Sequence, residues 1–368
     1  MKKITTLLLL ILFNAVTFAQ CNGRYQTEIF SSVTKTTVNY SDVYTDNAHE
    51  MDIYTPDGDT EINRPLILFI HGGSFYGGDK TDLDCQDFCK TFAKKGYVTA
   101  SVNYRLVSLL NIVSFLSNQD EQYEEVLKAT SDVKAAIRYF RKDVANGNIH
   151  GIDPNTIFVG GVSAGGVTAI HLAYIDDISD LPTTPLDIQA VATSLGGLEG
   201  DAGNLGYSSE VNGVISFAGG INTLSWIDAN DEPIVSCQGD ADLTVNYNCG
   251  PGLNNPSVLT LCGAGEMHPQ ADLVGVVNNK LIFLGEGHTW FVGGNSNSLF
   301  LQALDFTSNF LFPLLPCNNT TSISEENTTN KQLIRITDIL GRNANTATNA
   351  TLFYIYDDGS VEKKMILK

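Results

Sequence analysis

Residues 33–54 alternate polar residues with apolar or β-branched ones. This period of two is typical of strands with one buried face, so the segment predicts two or three antiparallel strands. The run PLILFI at residues 65–70 is apolar throughout, which indicates a strand that is buried on both faces. Further strands are predicted at residues 97–103, 156–159, 213–217, 233–237 and 280–284.

Between these strands, apolar residues recur with helical spacing. The strongest helix is predicted at residues 121–146, where the apolar positions fall on one side of the helix. Other helices are predicted at residues 81–95, 167–175 and 299–312. Strands that alternate with helices predict an α/β fold class, with a mostly parallel central sheet flanked by helices.

Two segments interrupt the alternation. Residues 106–119 are apolar enough to line or cap a groove. Residues 176–212 are rich in Gly, Ser, Thr and Asp. We expect them to pass over the top of the sheet, where substrate-contacting loops usually lie.

The N-terminus has the layout of a secretory signal peptide. Residues 1–19 begin with two lysines, continue with a short apolar run and end with small or polar residues before Ala19. We predict cleavage between Ala19 and Gln20. A membrane anchor is the alternative, but the run is short for a membrane span, so no stable membrane insertion is expected. Lipid attachment at Cys21 is disfavoured, because Gln20 fits poorly before it.

Composition divides the rest of the chain into three regions. Residues 20–312 contain the predicted strands and helices of the main domain. Residues 313–330 combine prolines with Asn, Thr, Ser and Glu, as a linker does. Residues 331–368 return to strand character, which predicts a small C-terminal β module.

Charge and cysteine content limit the partners. The 368 residues are 43% hydrophobic and carry a formal net charge of -19, which excludes nucleic acid and anionic lipid as expected partners. The seven cysteines all follow the predicted cleavage site, which favours structural disulfide bonds in an exported protein. None has the spacing to histidine of a zinc site and no phosphate-binding loop is present in the sequence, so no metal or cofactor is expected.

The strongest motif is GVSAG at residues 161–165, with a predicted strand before it and a helix after it. A nucleophilic serine needs such a tight strand-to-helix turn with small neighbours, and the helix N-terminus then lies behind a developing oxyanion. We therefore predict Ser163 as a catalytic nucleophile. A phosphate-binding glycine turn is the alternative, which the absence of a following lysine disfavours.

A second glycine motif, HGGSF at residues 71–75, directly follows the strand at residues 65–70. Glycines allow backbone amides to approach an ester oxygen closely, so this loop is expected to form half of an oxyanion hole. Gly73 and Ser74 are the preferred donors, Gly72 is less favoured, and Ala164 completes the set. His71 is expected to brace the loop.

A serine nucleophile needs a general base and a carboxylate that orients it, in the chain order serine, acid, histidine. Asp240 and Asp242 both follow the strand at residues 233–237, and Asp242 is favoured because Asp240 is closer to the end of the strand. His288 follows the last predicted strand of the main domain. It is favoured as the base over His268, which lies in an irregular stretch. 

Three aromatic residues flank these motifs: Phe75, Tyr76 and Trp290. Each is a candidate for contact with the substrate, and core packing is the alternative for each.

Taken together, the motifs resemble those of the α/β-hydrolase superfamily, in particular its carboxylesterase and hormone-sensitive-lipase-like branches. The resemblance covers roughly residues 41–312. Its matching segments are HGGSF (71–75), YR (104–105), GIDPN (151–155), VGGVSAGG (159–166), GDAD (239–242) and GH (287–288). The acid-loop match supports Asp242 over Asp240. Two departures are Gln238, where many relatives have histidine, and Ser74, which replaces a glycine or alanine.

The C-terminal module resembles the sorting domain of the Bacteroidetes type IX secretion system. The similar segments are DILGR at residues 338–342 and LFYIYDDGSVEKK at residues 352–364. This resemblance implies export across the outer membrane by that machinery, to the medium or the cell surface. A carbohydrate-binding module is the alternative, but the module has few aromatic residues to stack on sugars.

The resemblance implies a secreted serine carboxylic-ester hydrolase with an acyl-enzyme mechanism. Small-molecule esters and esters linked to polysaccharides are the expected substrates. One alternative is a peptidase of the same fold. Such peptidases usually carry a large extra domain, and the residues before Ser41 are too few to form one. Another is a catalytically silent binding or adhesion protein, which predicts that a member of the triad is missing, whereas all three occur in order.

Overall fold

The computed structural model describes residues 21, 23–316, 333–338, 342–344, 350–357 and 361–366. The predicted signal peptide and most of the predicted linker lie outside the described residues. The chain forms two compact units, Met1–Asn319 and Thr320–Lys368.

The first unit alternates strands and helices as the sequence predicts. Its strands are β1 (Val33–Asn39), β2 (Glu50–Pro56), β3 (Arg64–Ile70), β4 (Val98–Val102), β5 (Ile152–Val162), β6 (Val214–Phe217), β7 (Ile234–Gly239), β8 (Cys249–Pro251), β9 (Thr260–Cys262) and β10 (Asn278–Phe283). Its helices are α1 (Leu83–Lys94), α2 (Ile112–Phe115), α3 (Gln119–Ala145), α4 (Ala164–Tyr174), α5 (Ile188–Ser194), α6 (Ala264–Val274) and α7 (Ser298–Leu311).

Eight of these strands form one sheet in the order β1-β2-β4-β3-β5-β6-β7-β10. The pairs β1–β2 and β2–β4 are antiparallel, and the other pairs are parallel. All seven residues of β3 are buried, because helices cover both faces of a mostly parallel sheet. The predicted α/β architecture is confirmed.

Alternate residues of β3 point into two hydrophobic cores, one on each face of the sheet. Leu66 and Leu68 join the core formed with α3, α4 and α6, whereas Phe69 joins the core formed with α1 and α7. The ring of Phe69 stacks on Phe88 of α1 with centroids 3.8 Å apart. These two cores hold the ends of the parallel strands in fixed positions.

The segment at residues 176–212 differs from its prediction. It contains α5 and packs against α3 and the turn after β4, and none of its residues lines the cavity described below. Arg105 binds Asp201 at 2.7 Å, and the buried Arg138 binds Glu199 at 2.6 Å. These ion pairs with Arg105 and Arg138, which composition does not reveal, tie the segment to α3 and to the turn after β4.

The first residues of the predicted linker belong to the main unit. Phe312–Leu314 forms a 3-10 turn, and Leu315 is fully buried against the core of the α1 and α7 face. The polar average composition of residues 313–330 did not reveal that this segment begins with two adjacent leucines, Leu314 and Leu315.

The described residues of the second unit form a three-stranded antiparallel sheet, β11 (Leu333–Thr337), β12 (Ala350–Tyr356) and β13 (Val361–Ile366). The predicted β character of this region is thus present. Among the described residues, no helix has the length and apolarity that a membrane span needs.

Candidate active site

Ser163 lies on the sharp turn between β5 and α4. Its φ of 55° and ψ of -119° place it in a left-handed conformation that non-glycine residues rarely adopt. The turn is so close that a Cβ on Gly165 would lie 2.1 Å from the carbonyl oxygen of Ile70. Glycine at this position is therefore required for the tight turn that presents the serine hydroxyl.

The structure brings Ser163, His288 and Asp242 into one hydrogen-bonded chain. The Nε2 atom of His288 lies 2.8 Å from Oγ of Ser163, and its Nδ1 atom lies 2.7 Å from Oδ2 of Asp242. A carboxylate oxygen accepts, so Nδ1 carries the proton and Nε2 is left to accept from the serine hydroxyl. The three residues follow β5, β7 and β10, so they lie at the carboxyl edge of the parallel part of the sheet.

Asp242 is held rigidly. Its side chain is buried, and Oδ1 accepts hydrogen bonds from the backbone amides of Thr244 at 2.8 Å and Val245 at 3.0 Å. The other oxygen is thereby aimed at His288. This arrangement fixes the orientation of the imidazole ring.

The alternatives that the sequence left open lie elsewhere. Asp240 accepts a hydrogen bond from the backbone amide of Gly285 at 2.6 Å. His268 contacts Asn278 through Nδ1 at 2.7 Å, and burial lowers the pKa of its imidazole to about 4. Neither side chain contacts Ser163 or His288 among the described hydrogen bonds.

The loop after β3 places backbone amides beside Ser163. Gly73 and Ser74 have positive φ angles of 109° and 55°, and a Cβ on Gly72 would lie 3.2 Å from Cβ of Ser163. The amides of Gly73, Ser74 and Ala164 form no hydrogen bond to any described residue. Such amides are available to a negatively charged oxygen at the serine.

His71 braces this loop. Its Nδ1 atom lies 2.7 Å from the carbonyl oxygen of Gly72, and its ring stacks on Tyr104 with centroids 4.4 Å apart. Burial lowers the pKa of His71, which favours the neutral imidazole. The Tyr104 hydroxyl donates to the His71 carbonyl at 3.2 Å, which ties the loop to the residues after β4.

A cavity of about 90 Å³ opens beside Ser163. One wall is the face of α4 that carries Ala164, Val167 and His171, and the opposite walls come from α2, α3 and the segment after β7. Most of its lining side chains are apolar. Those from α2, α3 and the segment after β7 are Phe115, Gln122, Tyr123, Val126, Thr244, Val245, Leu253, Val258, Leu259 and Leu261, and Asn222 follows β6.

The polar side chains in the wall mostly bond to each other or to the backbone. Tyr123 donates to Oδ1 of Asn222 at 2.7 Å, and Nδ2 of Asn222 donates to the carbonyl of Thr260 at 2.8 Å. His171 accepts from the Asn222 amide, and burial lowers its pKa to about 4, so it is neutral near pH 7. The cavity is therefore suited to an uncharged, apolar group.

Of the three aromatic candidates, Phe75 lines the cavity. Tyr76 does not line it, and instead packs edge-on against Phe115 with ring centroids 6.4 Å apart. Trp290 is a core residue, only 3% exposed, whose ring lies 4.7 Å from that of Phe283. The position of Trp290 close to His288 in the sequence did not indicate which way the Trp290 side chain points.

Most of the cavity wall was missed by sequence reasoning. The missed residues come from α3 and from positions 252–261, whereas Phe115 of α2 lies in the stretch 106–119 that was expected to line or cap a groove. Cys249 and Cys262 form a disulfide bond that closes this segment, whereas Cys237 is a buried free thiol. The expectation of disulfide bonds is thus confirmed. The apolar residues Val258, Leu259 and Leu261 just before Cys262 were the signal that could have identified a folded loop here.

One group of acidic residues could approach a cation. Carboxylate oxygens of Asp176, Asp228 and Asp231 lie within 4.8 Å of one another, at a surface that does not line the cavity. Burial raises the pKa of Asp231 to about 7, and the neighbouring carboxylates of Asp176 and Asp228 act in the same direction.

Part of this sequence is similar to a known protein family and to known esterases. The family described as BD-FAE matches residues 51–222. Para-nitrobenzyl esterase of Bacillus subtilis is 31% identical over 124 residues, and mouse carboxylesterase 3B is 36% identical over 133 residues. These matches cover 33% and 35% of this chain and 23% and 21% of the relatives, so the chain spans less than a quarter of either relative.

Solved structures match over a greater length. The propionate-bound esterase Est2 of Thermogutta terrifontis has 22% identity and a TM-score of 0.53, over 75% of this chain and 93% of that one. A truncated carbohydrate esterase from gut microbiota has 20% identity and a TM-score of 0.54, over 77% and 99%. With the sheet order and the serine turn described above, these similarities identify the main unit of this chain as an α/β-hydrolase fold.

Proposed function

We propose that this protein is a serine carboxylesterase that hydrolyses esters through an acyl-enzyme. The observation that carries the proposal is the continuous chain from Ser163 Oγ through both ring nitrogens of His288 to Asp242. A serine on a strained turn, a histidine in hydrogen-bond contact with it and a buried carboxylate form the arrangement that activates a hydroxyl nucleophile.

In the first half-reaction, Oγ of Ser163 attacks the ester carbonyl carbon while Nε2 of His288 takes its proton. The imidazolium that forms is stabilised by Asp242, which stays ionised. The tetrahedral intermediate then collapses. The C–O bond to the alcohol breaks, and Nε2 returns the proton to the leaving oxygen, which leaves an acyl group on Ser163.

The negative charge of the intermediate lies on the former carbonyl oxygen. The amides of Gly73, Ser74 and Ala164 are the proposed donors to it, with Gly72 as a less favoured one. The loss of a single such donor typically costs about 3 kcal/mol of transition-state stabilisation. Water then attacks the acyl group with His288 as the base, the carboxylic acid leaves and Ser163 is regenerated.

The proposed substrates are small-molecule esters or acyl groups on polysaccharide. The names of similar proteins support this class, since they include a para-nitrobenzyl esterase and a carbohydrate esterase. The apolar cavity beside Ser163 would receive one arm of the ester. Phe75 and Phe115 would contact that arm.

The test is hydrolysis of p-nitrophenyl butyrate by the full chain and by Ser163→Ala. We expect the variant to lose about 10⁴- to 10⁶-fold in kcat. The matched control is Ser236→Ala, because Ser236 is also buried and its hydroxyl has no described hydrogen-bond partner. A fluorophosphonate probe should label the parent and the control but not Ser163→Ala. Equal turnover by Ser163→Ala and its parent would refute the proposal.

We also propose export by an N-terminal signal peptide, followed by passage through type IX secretion machinery that reads residues 331–368. The sequence layout of residues 1–19 and the resemblance of the C-terminal module support this. The disulfide bond between Cys249 and Cys262 is consistent with an oxidising compartment. The test is fractionation of cells that produce the full chain or a chain lacking residues 331–368. Equal release of both would refute the sorting role.

A further inference from the structure

Gln122 occupies an unusual position in the wall of the cavity beside Ser163. It lies in the first turns of α3, is 3% exposed and lines the cavity. A buried amide that merely packed in an apolar wall would be unfavourable, because its polar atoms would lose their partners from water. The partners of this amide are therefore informative.

The side chain of Gln122 links two wall elements through their main chains. Its Nε2 atom donates to the carbonyl of Phe115 at 2.7 Å and to that of Ser257 at 3.2 Å. Its Oε1 atom accepts from the amide of Leu259 at 2.8 Å. One amide thus holds the end of α2 against both sides of Val258, whose side chain lines the cavity.

The segment so held has few other connections to α2 and α3. Residues 252–261 are closed at their ends by the disulfide bond between Cys249 and Cys262, and the β8–β9 pairing lies at those ends. Around Val258, the described direct hydrogen bonds to the helices are those of the Gln122 amide, together with a 3.5 Å contact from Asn255 to the carbonyl of Leu116. Tyr123 of α3 is linked to the segment indirectly, through Asn222 and the carbonyl of Thr260. Gln122 therefore sets how closely the segment approaches the helices.

Helix α4, which forms another wall, gives an estimate of the length of the cavity. Ala164, Val167 and His171 line the cavity from successive turns of α4, and eight residues of helix from Ser163 to His171 rise about 12 Å. A volume of about 90 Å³ corresponds to roughly six to nine water-sized spheres. An apolar space of this size fits a short or medium aliphatic chain.

We propose that Gln122 is a specificity-determining positioning residue, which fixes the 252–261 segment and thereby limits the cavity to short and medium aliphatic acyl groups. The inference rests on the proposed esterase function, because it assigns the cavity to the acyl arm of the ester. Gln122 acts through the segment that it holds. It has no role in the proton transfers at Ser163.

The experiment compares Gln122→Leu with its parent, as full chains, on p-nitrophenyl acetate, butyrate, octanoate and decanoate. Leucine keeps the approximate volume but removes all three hydrogen bonds, so the segment is released and longer chains are admitted. We expect the decanoate-to-butyrate ratio of kcat/KM to rise at least about tenfold, the effect of one or two methylenes in an apolar pocket. A role in overall stability alone would lower both values together.

The matched control is Gln189→Leu. The Gln189 amide also donates to a main-chain carbonyl, that of Leu181 at 2.9 Å, but lies in the segment that does not line the cavity. Its ratio should equal that of the parent. An unchanged ratio in folded Gln122→Leu, or an equal rise in Gln189→Leu, overturns the inference.

A second variant covers the case in which Gln122→Leu does not fold. Val258→Phe keeps the Gln122 amide and its partners but fills part of the cavity, so the octanoate-to-acetate ratio should fall at least about tenfold. An unchanged ratio overturns the inference. If the parent hydrolyses several esters but the variants leave its chain-length ratios unchanged, this inference alone is refuted. If the parent hydrolyses no ester and is not labelled by the fluorophosphonate probe, the proposed function is refuted as well.

Discussion

Replacing Asp242 by asparagine would remove a charge from the site while keeping the residue in place. The Oδ1 atom accepts from the amides of Thr244 and Val245, and an asparagine oxygen can accept both of these hydrogen bonds. The asparagine NH₂ group then faces Nδ1 of His288, where the carboxylate oxygen lies at 2.7 Å in the parent.

That exchange reverses the direction of the hydrogen bond. An NH₂ group donates, so Nδ1 must accept and the ring proton moves to Nε2, the atom that faces Ser163. A protonated Nε2 cannot take the serine proton. We therefore expect Asp242→Asn to lower kcat by about 10⁴, or roughly 5.5 kcal/mol in activation free energy. Because both backbone hydrogen bonds survive, the thermal unfolding midpoint should change little.

The assay is steady-state hydrolysis of p-nitrophenyl butyrate, with unfolding followed by circular dichroism. The control is Asp240→Asn, whose Oδ1 atom accepts from the Gly285 amide and does not contact His288. It should retain activity close to that of the parent. If Asp242→Asn keeps more than about a tenth of the parent kcat, or if Asp240→Asn loses as much, the tautomer argument is wrong.

Three further predictions concern stability. Gly165→Ala would place a Cβ 2.1 Å from the carbonyl oxygen of Ile70, so we expect both activity and the unfolding midpoint to fall, and a folded variant with full turnover would contradict this. Burial lowers the folded-state pKa of His268 to about 4, below its unfolded value near 6.5, so the unfolded chain binds more protons between these values. Its stability contribution is therefore present above about pH 6.5 and is lost as the pH falls toward 4, and urea unfolding at pH 7 and pH 5 should show a smaller loss in His268→Gln than in the parent. Replacing both Cys249 and Cys262 by serine opens a loop with a sequence separation of 13 and should lower the free energy of unfolding by roughly 3 kcal/mol in urea titrations, whereas no change would indicate that the loop is equally restrained when reduced.

Much of the architecture could be predicted because it depends on local pattern. The run at β3 is apolar throughout, and the apolar residues of α3 fall on one side of the helix. Each pattern by itself indicates which residues are buried. The serine turn is also local, since small residues on both sides of Ser163 are required by contacts within a few residues of it. Chain order then reduced the number of candidates for the acid and the base. The favoured residues, Asp242 and His288, lie within hydrogen-bond distance of each other in the structure.

The sequence could not predict which side chains form the cavity beside Ser163. Phe75 and Trp290 both flank motifs, yet the first lines the cavity and the second is buried against Phe283. Sequence neighbours share a loop, but the direction of a side chain depends on what packs around it. The 176–212 segment was likewise misplaced, because ion pairs with Arg105 and Arg138 hold it against α3.

By itself, therefore, the sequence determined the α/β class, the serine turn and the order of the candidate acid and base, all of which follow from short-range periodicity and backbone geometry. The tertiary structure alone decided which apolar residues enclose the space beside Ser163 and how the segment 252–261 is held against α2 and α3. Those outcomes depend on contacts between residues far apart in the chain, such as the 137 positions that separate Gln122 from Leu259. No local pattern encodes such contacts, because they form only when the two hydrophobic cores have set the distance between the elements.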